Sequence, residues 1–108
     1  YCEFVMRHIQ CRNWPDHSAP INAAGTIQLH REISQCPRGH PIVIHCSAGV
    51  GRTCTLLGVE LMLEHVRLLN SHSGTKVVKT MRRFRLGAVQ KAIQFLFMHV
   101  VVLELFCQ

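Results

Sequence analysis

Residues 41–53 read PIVIHCSAGVGRT, and the order of residue types in this stretch decides which fold we expect. Residues 41–44 form a short apolar run rich in β-branched side chains, which predicts a buried strand of an α/β fold. A loop of mostly small residues follows between Cys46 and Arg52, and an apolar helical pattern begins at Thr53. The sequence therefore predicts a strand that ends in a glycine-containing loop and continues into a helix.

Helical periodicity extends over much of the remaining chain. Apolar residues recur at spacings of three and four along residues 53–69, which predicts a long and largely buried helix. Residues 76–85 are basic and amphipathic, with Val77, Val78, Met81 and Phe84 expected to face inward. The predicted helices are residues 23–34, 53–69, 76–85 and 92–105, with a turn at 70–74 and a loop at 86–90.

The N-terminal residues carry a strand pattern. We interpret these residues as a period-two pattern, which is typical of a strand with one face toward a core. The two alternating sets are Val5, Arg7, Ile9 and Cys11, and Met6, His8, Gln10 and Arg12. Pro15 and Pro20 then predict an irregular loop over residues 13–21. Taken with the run at 41–44, the pattern predicts an α/β domain. Its twisted mixed sheet would have flanking helices, and a phosphate-binding loop would lie between a buried strand and a long helix.

Composition narrows the class of protein. The 108 residues are 48% hydrophobic and 17% charged, which is typical of a globular domain. The net charge of +6 suits an anionic partner. We expect the six cysteines to be reduced, because the apolar runs are too long for a small disulfide-stapled domain.

The sequence favours neither a metal site nor a membrane segment. No CxxC pair occurs and the eight histidines lack zinc-type spacing, so we predict no metal. The apolar run at 92–106 contains Gln94, His99 and Glu104 and is too short for a membrane span. The start lacks the apolar core of a signal peptide, and since it is Tyr1 rather than Met we expect a chain cut from something longer.

The loop after the predicted strand has the chemistry of an oxyanion cradle. Its backbone N–H groups and the positive end of the following helix dipole converge on one concavity. Two glycines let successive amides turn toward one point. Arg52 at the helix start can grip two oxygens of a phosphate at once. The residues between the cysteine and this arginine are Ser47, Ala48, Gly49, Val50 and Gly51.

Such a cradle would activate Cys46. An ordinary thiol with a pKa of about 8.5 is only about 3% thiolate at pH 7. A fall in pKa of roughly 2.5, within the range known for thiols at helix N-termini, would make the thiolate the main form. Cys46 would then be a nucleophile aimed at a phosphorus atom held above it. The alternative interpretation is an inert buried thiol after a strand.

Three motifs in order resemble the protein tyrosine phosphatase family. HCSAGVGRT at 45–53 fits the family signature of His-Cys, five residues, Arg and then Ser or Thr. WPDH at 14–17 resembles the family's mobile WPD loop, and favours its tyrosine-specific branch. VQKAIQF at 89–95 is similar to the family's glutamine loop, with Arg85 matching the arginine that precedes and supports that loop.

The resemblance implies a two-step mechanism. Cys46 would attack the phosphoryl group while Arg52 and the amides of the loop stabilise its oxygens. Asp16 would protonate the leaving phenolate and then act as base toward a water molecule oriented by Gln90 and Gln94. The remaining implied roles are substrate binding by Ser47, Ala48, Gly49, Val50, Gly51 and Thr53, loop support by His45, and loop anchoring by Trp14, with no cofactor.

Several residues also have structural interpretations. Asp16 by itself is typical of a turn, and Gln90 and Gln94 of a solvated helix start. The basic cluster at 76–85 is either a solvated face or a surface that attracts phosphorylated substrate. Cys54 stands where the family commonly has glycine, and it could crowd the cradle or act as a redox partner of Cys46.

The implied protein is the C-terminal portion of a tyrosine phosphatase catalytic domain, residues 1–108. The expected function is hydrolysis of phosphotyrosine in proteins through a phosphocysteine intermediate, in signalling. We expect a cytoplasmic location, no nucleic-acid partner and no membrane segment. The alternative is a truncated or catalytically silent fragment that binds phosphotyrosine or another protein. The N-terminal strands and the loop that deepens the family's pocket would be missing from such a chain.

Overall fold

The computed structural model describes residues 2–69 and 73–108 and contains four helices. All four predicted helices are confirmed, with ends that shift by one or two residues. Within the described residues, none of these helices is both long enough and apolar enough to cross a membrane. The helices are α1 (Ala24–Ser34), α2 (Arg52–Leu69), α3 (Gly74–Phe84) and α4 (Ala92–Phe106).

Local contacts explain where the helices begin. The Ser73 side chain accepts a hydrogen bond from the Lys76 backbone N–H at 3.3 Å, which caps the start of α3. Asn22 Oδ1 accepts from the Ala24 N–H at 3.1 Å just before α1. Helix α3 ends where Arg85 turns to an extended conformation, at φ −143° and ψ 112°. The chain therefore leaves α3 directly into the predicted loop.

The core lies where α2 packs against α4 and α3. Gly58 in α2 permits this packing, because a Cβ at that position would collide with the end of the Met98 side chain. Trp14 joins the core edge-on to Phe97, with ring centroids 5.6 Å apart. The buried core side chains include Val59, Met62, Val77, Phe97, Met98, Val101 and Val102, with Ile27 from α1.

The predicted sheet is wrong. The structure has no strand within the described residues, and both expected strands, residues 5–11 and 41–44, are irregular. Val5 is fully exposed and Val43 is 84% exposed, so neither segment faces a core. A strand exists only when its backbone pairs with a neighbour, and the two segments do not pair with each other or with a third. The predicted phosphate-binding loop accordingly lies between an irregular segment and α2.

Helix α3 differs from the sequence-based expectation at both of its ends. Val77, Val78 and Met81 face inward as predicted, but Phe84 is 88% exposed, so its predicted inward position is wrong. It occupies the last turn of α3, beyond the region that α2 and α4 cover. The predicted turn at 70–74 lies partly outside the described residues, and its last residue, Gly74, is the first of α3.

Truncating Met98 should cost much more stability than truncating an exposed neighbour. Met98→Ala removes a fully buried side chain between α4 and α2, for which we expect a loss of about 2–5 kcal/mol in the free energy of unfolding. Leu96→Ala, on the same helix but 58% exposed, should cost less than about 1 kcal/mol. Urea denaturation of both variants measures the difference. Equal losses would contradict the assigned core.

Candidate active site

The loop between Cys46 and Arg52 is shaped by the orientation of the Gly49 peptide groups. Gly49 adopts a φ of +74°, in the left-handed region that glycine tolerates best. Its N–H donates to Cys46 Sγ at 3.3 Å. Its carbonyl points away and accepts from Arg85 Nη1 at 3.1 Å and from the Cys54 thiol at 3.5 Å. The Gly49 N–H thus faces the sulfur, while the Gly49 carbonyl is bonded to residues on the other side of the loop.

Hydrogen bonding activates the Cys46 thiol. Burial favours the neutral thiol, but hydrogen bonds from Thr53, Gly49 and Ala48 outweigh it and lower the pKa of Cys46 from 9.0 to about 7. The Gly49 amide makes this contact at hydrogen-bond distance. The Thr53 hydroxyl is buried and has no partner at bonding distance among the described residues, so it acts on the sulfur from further away. About half of Cys46 is thiolate at pH 7.

The neighbouring cysteine has the opposite character. Cys54 lies in the first turn of α2 and is only 3% exposed. Burial raises the pKa of its thiol, so it stays protonated at neutral pH. It serves as a hydrogen-bond donor to the back of the loop rather than as a second nucleophile.

Arg52 brings the WPD segment to the loop. Its Nη1 donates to the Trp14 carbonyl at 3.0 Å, and its Nη2 donates to Ser47 Oγ at 3.2 Å. The same Nη2 lies 3.5 Å from Asp16 Oδ1. Nε of Arg52 is buried without a partner among the described residues. The guanidinium thus joins both segments and retains one unused donor.

Asp16 lies against the cradle. The Ser47 hydroxyl donates to Asp16 Oδ2 at 3.0 Å and is the main cause that holds the pKa of this carboxyl below its usual value. The backbone N–H of His17 and the charges of His17 and Arg52 act in the same direction. Asp16 is therefore a carboxylate at neutral pH, and it uses donors that an incoming oxyanion would also use.

The WPD segment is held in place by its own hydrogen bonds. Trp14 is buried, and its Nε1 donates to the Ser18 carbonyl at 2.7 Å. The Ser18 hydroxyl donates to the Pro15 carbonyl at 2.7 Å. His17 adopts a φ of 59°, which completes a tight turn around Asp16. These contacts agree with the anchoring role expected of Trp14, which stays a prediction.

The two glutamines of the predicted glutamine loop differ in exposure. Gln94 is fully buried, and its Oε1 accepts from the backbone N–H groups of Gln90 and Lys91, both at 3.1 Å. Its Nε2 donates to the Ser18 carbonyl at 3.3 Å, which ties the glutamine loop to the WPD segment. Gln90 is exposed. A Cβ added at Gly51 would lie 2.5 Å from Gln90 Oε1, so that amide rests against the loop backbone.

Two arginines of the α3 region support two different loops. Arg85 was expected to support the glutamine loop, but it donates to the Gly49 carbonyl of the phosphate loop instead. Arg82 supports the glutamine loop, through Nε to the Ala88 carbonyl at 2.9 Å and Nη2 to the Val89 carbonyl at 3.0 Å. Sequence reasoning missed this role of Arg82, because two arginines three positions apart carry no signal that separates them.

The other predicted site residues have simpler positions. The Val50 carbonyl accepts from the Val89 N–H at 2.8 Å, which joins the phosphate loop to the glutamine loop. His45 is exposed and its side chain makes no hydrogen bond to the described residues, so its role in holding the loop stays a prediction. Ala48 is exposed at the rim. The structure thus brings one group of predicted site residues into mutual proximity: Cys46, Ser47, Gly49, Arg52, Thr53, Asp16, Trp14 and Gln90.

Comparison with known proteins agrees with this geometry. A family model described as protein-tyrosine phosphatase matches residues 2–104. The chain belongs to the protein-tyrosine phosphatase family. It is 37% identical over 101 residues to the human receptor-type tyrosine-protein phosphatase C, and 33% identical over 99 residues to the mouse tyrosine-protein phosphatase non-receptor type 20. Each match covers 92% of this chain.

Solved phosphatase structures resemble the chain over the same region. A Trypanosoma brucei protein tyrosine phosphatase aligns with a TM-score of 0.79 and 37% identity, and one from Trypanosoma cruzi aligns with 0.76 and 35%. Each alignment covers 88% of this chain. It covers only 34% of the T. brucei chain and 33% of the T. cruzi chain. The chain likewise spans 8% of the human receptor-type relative and 23% of the mouse non-receptor relative.

Alkylation of Cys46 should follow its lowered pKa. Because the thiolate is the reactive form, the rate should rise with pH through about 7 and level off above it, instead of rising through about 9. Iodoacetamide labelling between pH 5 and 10, read by mass spectrometry of the Cys46 peptide, measures the midpoint. Thr53→Val should move the midpoint upward. A midpoint near 9 in the unmodified chain would contradict the assigned activation.

Replacing Gly49 should damage the cradle, whereas replacing an unconstrained glycine should not. A Cβ at Gly49 would lie 2.6 Å from Arg85 Nη1 and would add a side chain at a positive φ. We expect Gly49→Ala to weaken binding of vanadate, a phosphate analogue, by at least about tenfold, the loss typical of one charge-assisted hydrogen bond. Gly25→Ala meets no atom within 4 Å and should bind vanadate normally. Equal binding by both variants would contradict the role of the Gly49 peptide.

Proposed function

We propose that this chain hydrolyses phosphotyrosine in proteins through a phosphocysteine intermediate. One observation carries the proposal. A thiol with a pKa of about 7 begins a loop that ends at Arg52, whose Nε is buried and has no partner among the described residues. Buried polar groups are normally paired, so an unpaired guanidinium donor at the end of this loop favours a site that an oxyanion completes.

In the first step, the Cys46 thiolate attacks phosphorus and the bond from phosphorus to the phenolic oxygen breaks. Arg52 and the amide of Gly49 would stabilise the charge on the equatorial oxygens, and the contact of the Gly49 N–H with Cys46 Sγ at 3.3 Å supports this role. As the sulfur loses its charge to the new S–P bond, the Gly49 amide is released to the phosphoryl oxygens. Ser47, Ala48, Val50, Gly51 and Thr53 complete the proposed substrate-binding loop.

Asp16 must carry a proton before it can act as the general acid. Without substrate its carboxylate accepts from Ser47 and lies 3.5 Å from Arg52 Nη2, both of which lower its pKa. A bound phosphate would take over these two donors and place negative charge beside the carboxyl. Both changes raise the pKa of Asp16. Substrate binding itself would thus protonate the acid that the leaving phenolate requires.

In the second step, a water molecule attacks the phosphocysteine. Asp16, now ionised, accepts the proton from the water, and the thiolate leaves. Gln90 is the side chain proposed to orient this water, since its amide rests against the Gly51 backbone. The buried amide of Gln94 is bonded to three backbone groups, so its proposed contribution acts mainly through the position of Gln90.

The proposal extends to the whole protein. The motif order and the share of each relative that the chain spans favour residues 1–108 as the C-terminal portion of a catalytic domain. Six free cysteines and a nucleophilic thiol suit a reducing compartment, so we place the chain in the cytoplasm, where it would act on phosphotyrosine signalling proteins.

An interaction module is the second candidate. It is favoured by apolar side chains that α2 and α4 leave exposed, which a partner could cover. Leu61 is 38% exposed, Leu96 58% and Leu103 63%. Such a module would bind phosphotyrosine or another protein without turnover.

Turnover separates the two candidates. The assay is vanadate-sensitive release of phosphate from a phosphotyrosine peptide. Cys46→Ser should abolish release, and Asp16→Ala should reduce it by about 10²–10⁴-fold, the contribution typical of a general acid. Cys107→Ser, at an exposed cysteine outside the loop, should have no effect. A folded chain with no turnover, or turnover that survives in Cys46→Ser, would contradict the proposed enzyme.

A further inference from the structure

A basic groove lies beside the glutamine loop and is not used by the chemistry above. It has a volume of about 310 Å³ and is bounded by α3 on one side and by the start of α4 on the other. Lys79 and Arg82 line it from α3, and Lys91 lines it from the N-terminal side of α4. Its floor is apolar and includes Val78, Val89 and Phe95.

The positive charge of this groove is not neutralised. No carboxylate of the described residues lines it, and α3 contains no acidic residue. Neither Lys79 nor Lys91 forms an ion pair with any residue in 2–69 or 73–108. Arg82 bonds only to two neutral carbonyls, so its charge adds to theirs. Three cations in a partly apolar groove attract a negatively charged ligand.

The groove opens next to the phosphate loop. Gln90 forms part of its wall, and the same side chain rests against Gly51 of the phosphate loop. Val89, in the floor, is bonded through its N–H to the Val50 carbonyl at 2.8 Å. A peptide with its phosphotyrosine in the cradle could therefore continue directly into the groove.

We propose that this groove binds an acidic segment of the phosphotyrosine substrate, with Lys79 and Lys91 pairing with its carboxylates. This inference rests on the proposed function and names the class of substrate. Lysine suits such a task because a flexible ammonium group can pair with carboxylates at variable positions. The apolar floor would accommodate the methylene groups of glutamate side chains, as it would those of the lysines.

A peptide fits the groove better than a nucleic acid does. Single-stranded nucleic acids bind on exposed aromatic rings that stack with their bases. The groove contains one ring, Phe95, which is half-buried and already packed edge-on against His99, with centroids 4.8 Å apart. No other aromatic side chain lines it.

Binding can be measured without turnover. The probes are fluorescein-labelled phosphotyrosine peptides with four glutamates on one side of the phosphotyrosine, and matched peptides with glutamine in their place. The host is the Cys46→Ser variant, which holds substrate without reacting. The groove variant is Lys79→Gln with Lys91→Gln, and its matched control is Lys76→Gln with Arg83→Gln, which removes the same charge from α3 outside the groove.

The expected result is a preference that depends on the two lysines. In fluorescence anisotropy, the glutamate peptide should bind more tightly than the glutamine peptide, and the groove variant should lose about three- to tenfold in affinity for the glutamate peptide alone. The control pair should change that affinity by less than about twofold. With Cys46 intact, KM should rise in the same ratio while kcat stays unchanged.

Three results would overturn the inference. These are equal binding of glutamate and glutamine peptides, equal losses in the groove and control variants, or tighter binding of a single-stranded oligonucleotide that depends on Lys79 and Lys91. Failure of the proposed function gives a different pattern. In that case the unmodified chain shows no turnover, while the lysine-dependent preference for the glutamate peptide persists in the anisotropy assay.

Discussion

The Gly49 carbonyl is held by Arg85 Nη1 at 3.1 Å and by the Cys54 thiol at 3.5 Å, and the shape of the site depends on this clamp. The oxygen belongs to the peptide plane between Gly49 and Val50, so these contacts hold that plane behind the loop. The Gly49 N–H belongs to the preceding peptide plane and faces the Cys46 sulfur, which lowers the pKa of that thiol. Glycine is needed because the conformation requires a positive φ.

A second clamp joins the segments that surround this loop. The buried amide of Gln94 in α4 connects the glutamine loop to Ser18 of the WPD segment. The Trp14 ring packs against Phe97, which also lies in α4. Arg52 then joins the WPD segment to the phosphate loop through the Trp14 carbonyl. Three segments distant in sequence are thus positioned by α4 and by the start of α2. Their geometry follows from helix packing rather than from a sheet.

The charges of the site are balanced against one another in the absence of substrate. Asp16 accepts from Ser47 and lies near Arg52, so a carboxylate of the protein occupies these donors when no ligand is bound. Its negative charge partly offsets the positive charge of Arg52. Under the proposed mechanism, an arriving phosphate would compete with Asp16 for the same donors and would thereby favour protonation of Asp16.

Local chemistry by itself determined the helices and the loop. Helical periodicity placed all four helices within one or two residues of their ends, since each helix closes its hydrogen bonds among near neighbours. The order His45, Cys46, two glycines and Arg52 likewise predicts a phosphate loop, because an oxyanion cradle is built from consecutive residues.

Features that depend on partners distant in sequence follow from how the segments pack. Residues 5–11 and 41–44 have strand patterns but pair with nothing, and a strand cannot exist without a neighbour. That Arg85 rather than Arg82 reaches Gly49 depends on how α3 packs against α2. The burial of Gln94, the contact of Asp16 with Arg52, and the unpaired lysines beside Gln90 were decided in the same way. Each depends on distances between segments, and a sequence pattern records only the spacing within one.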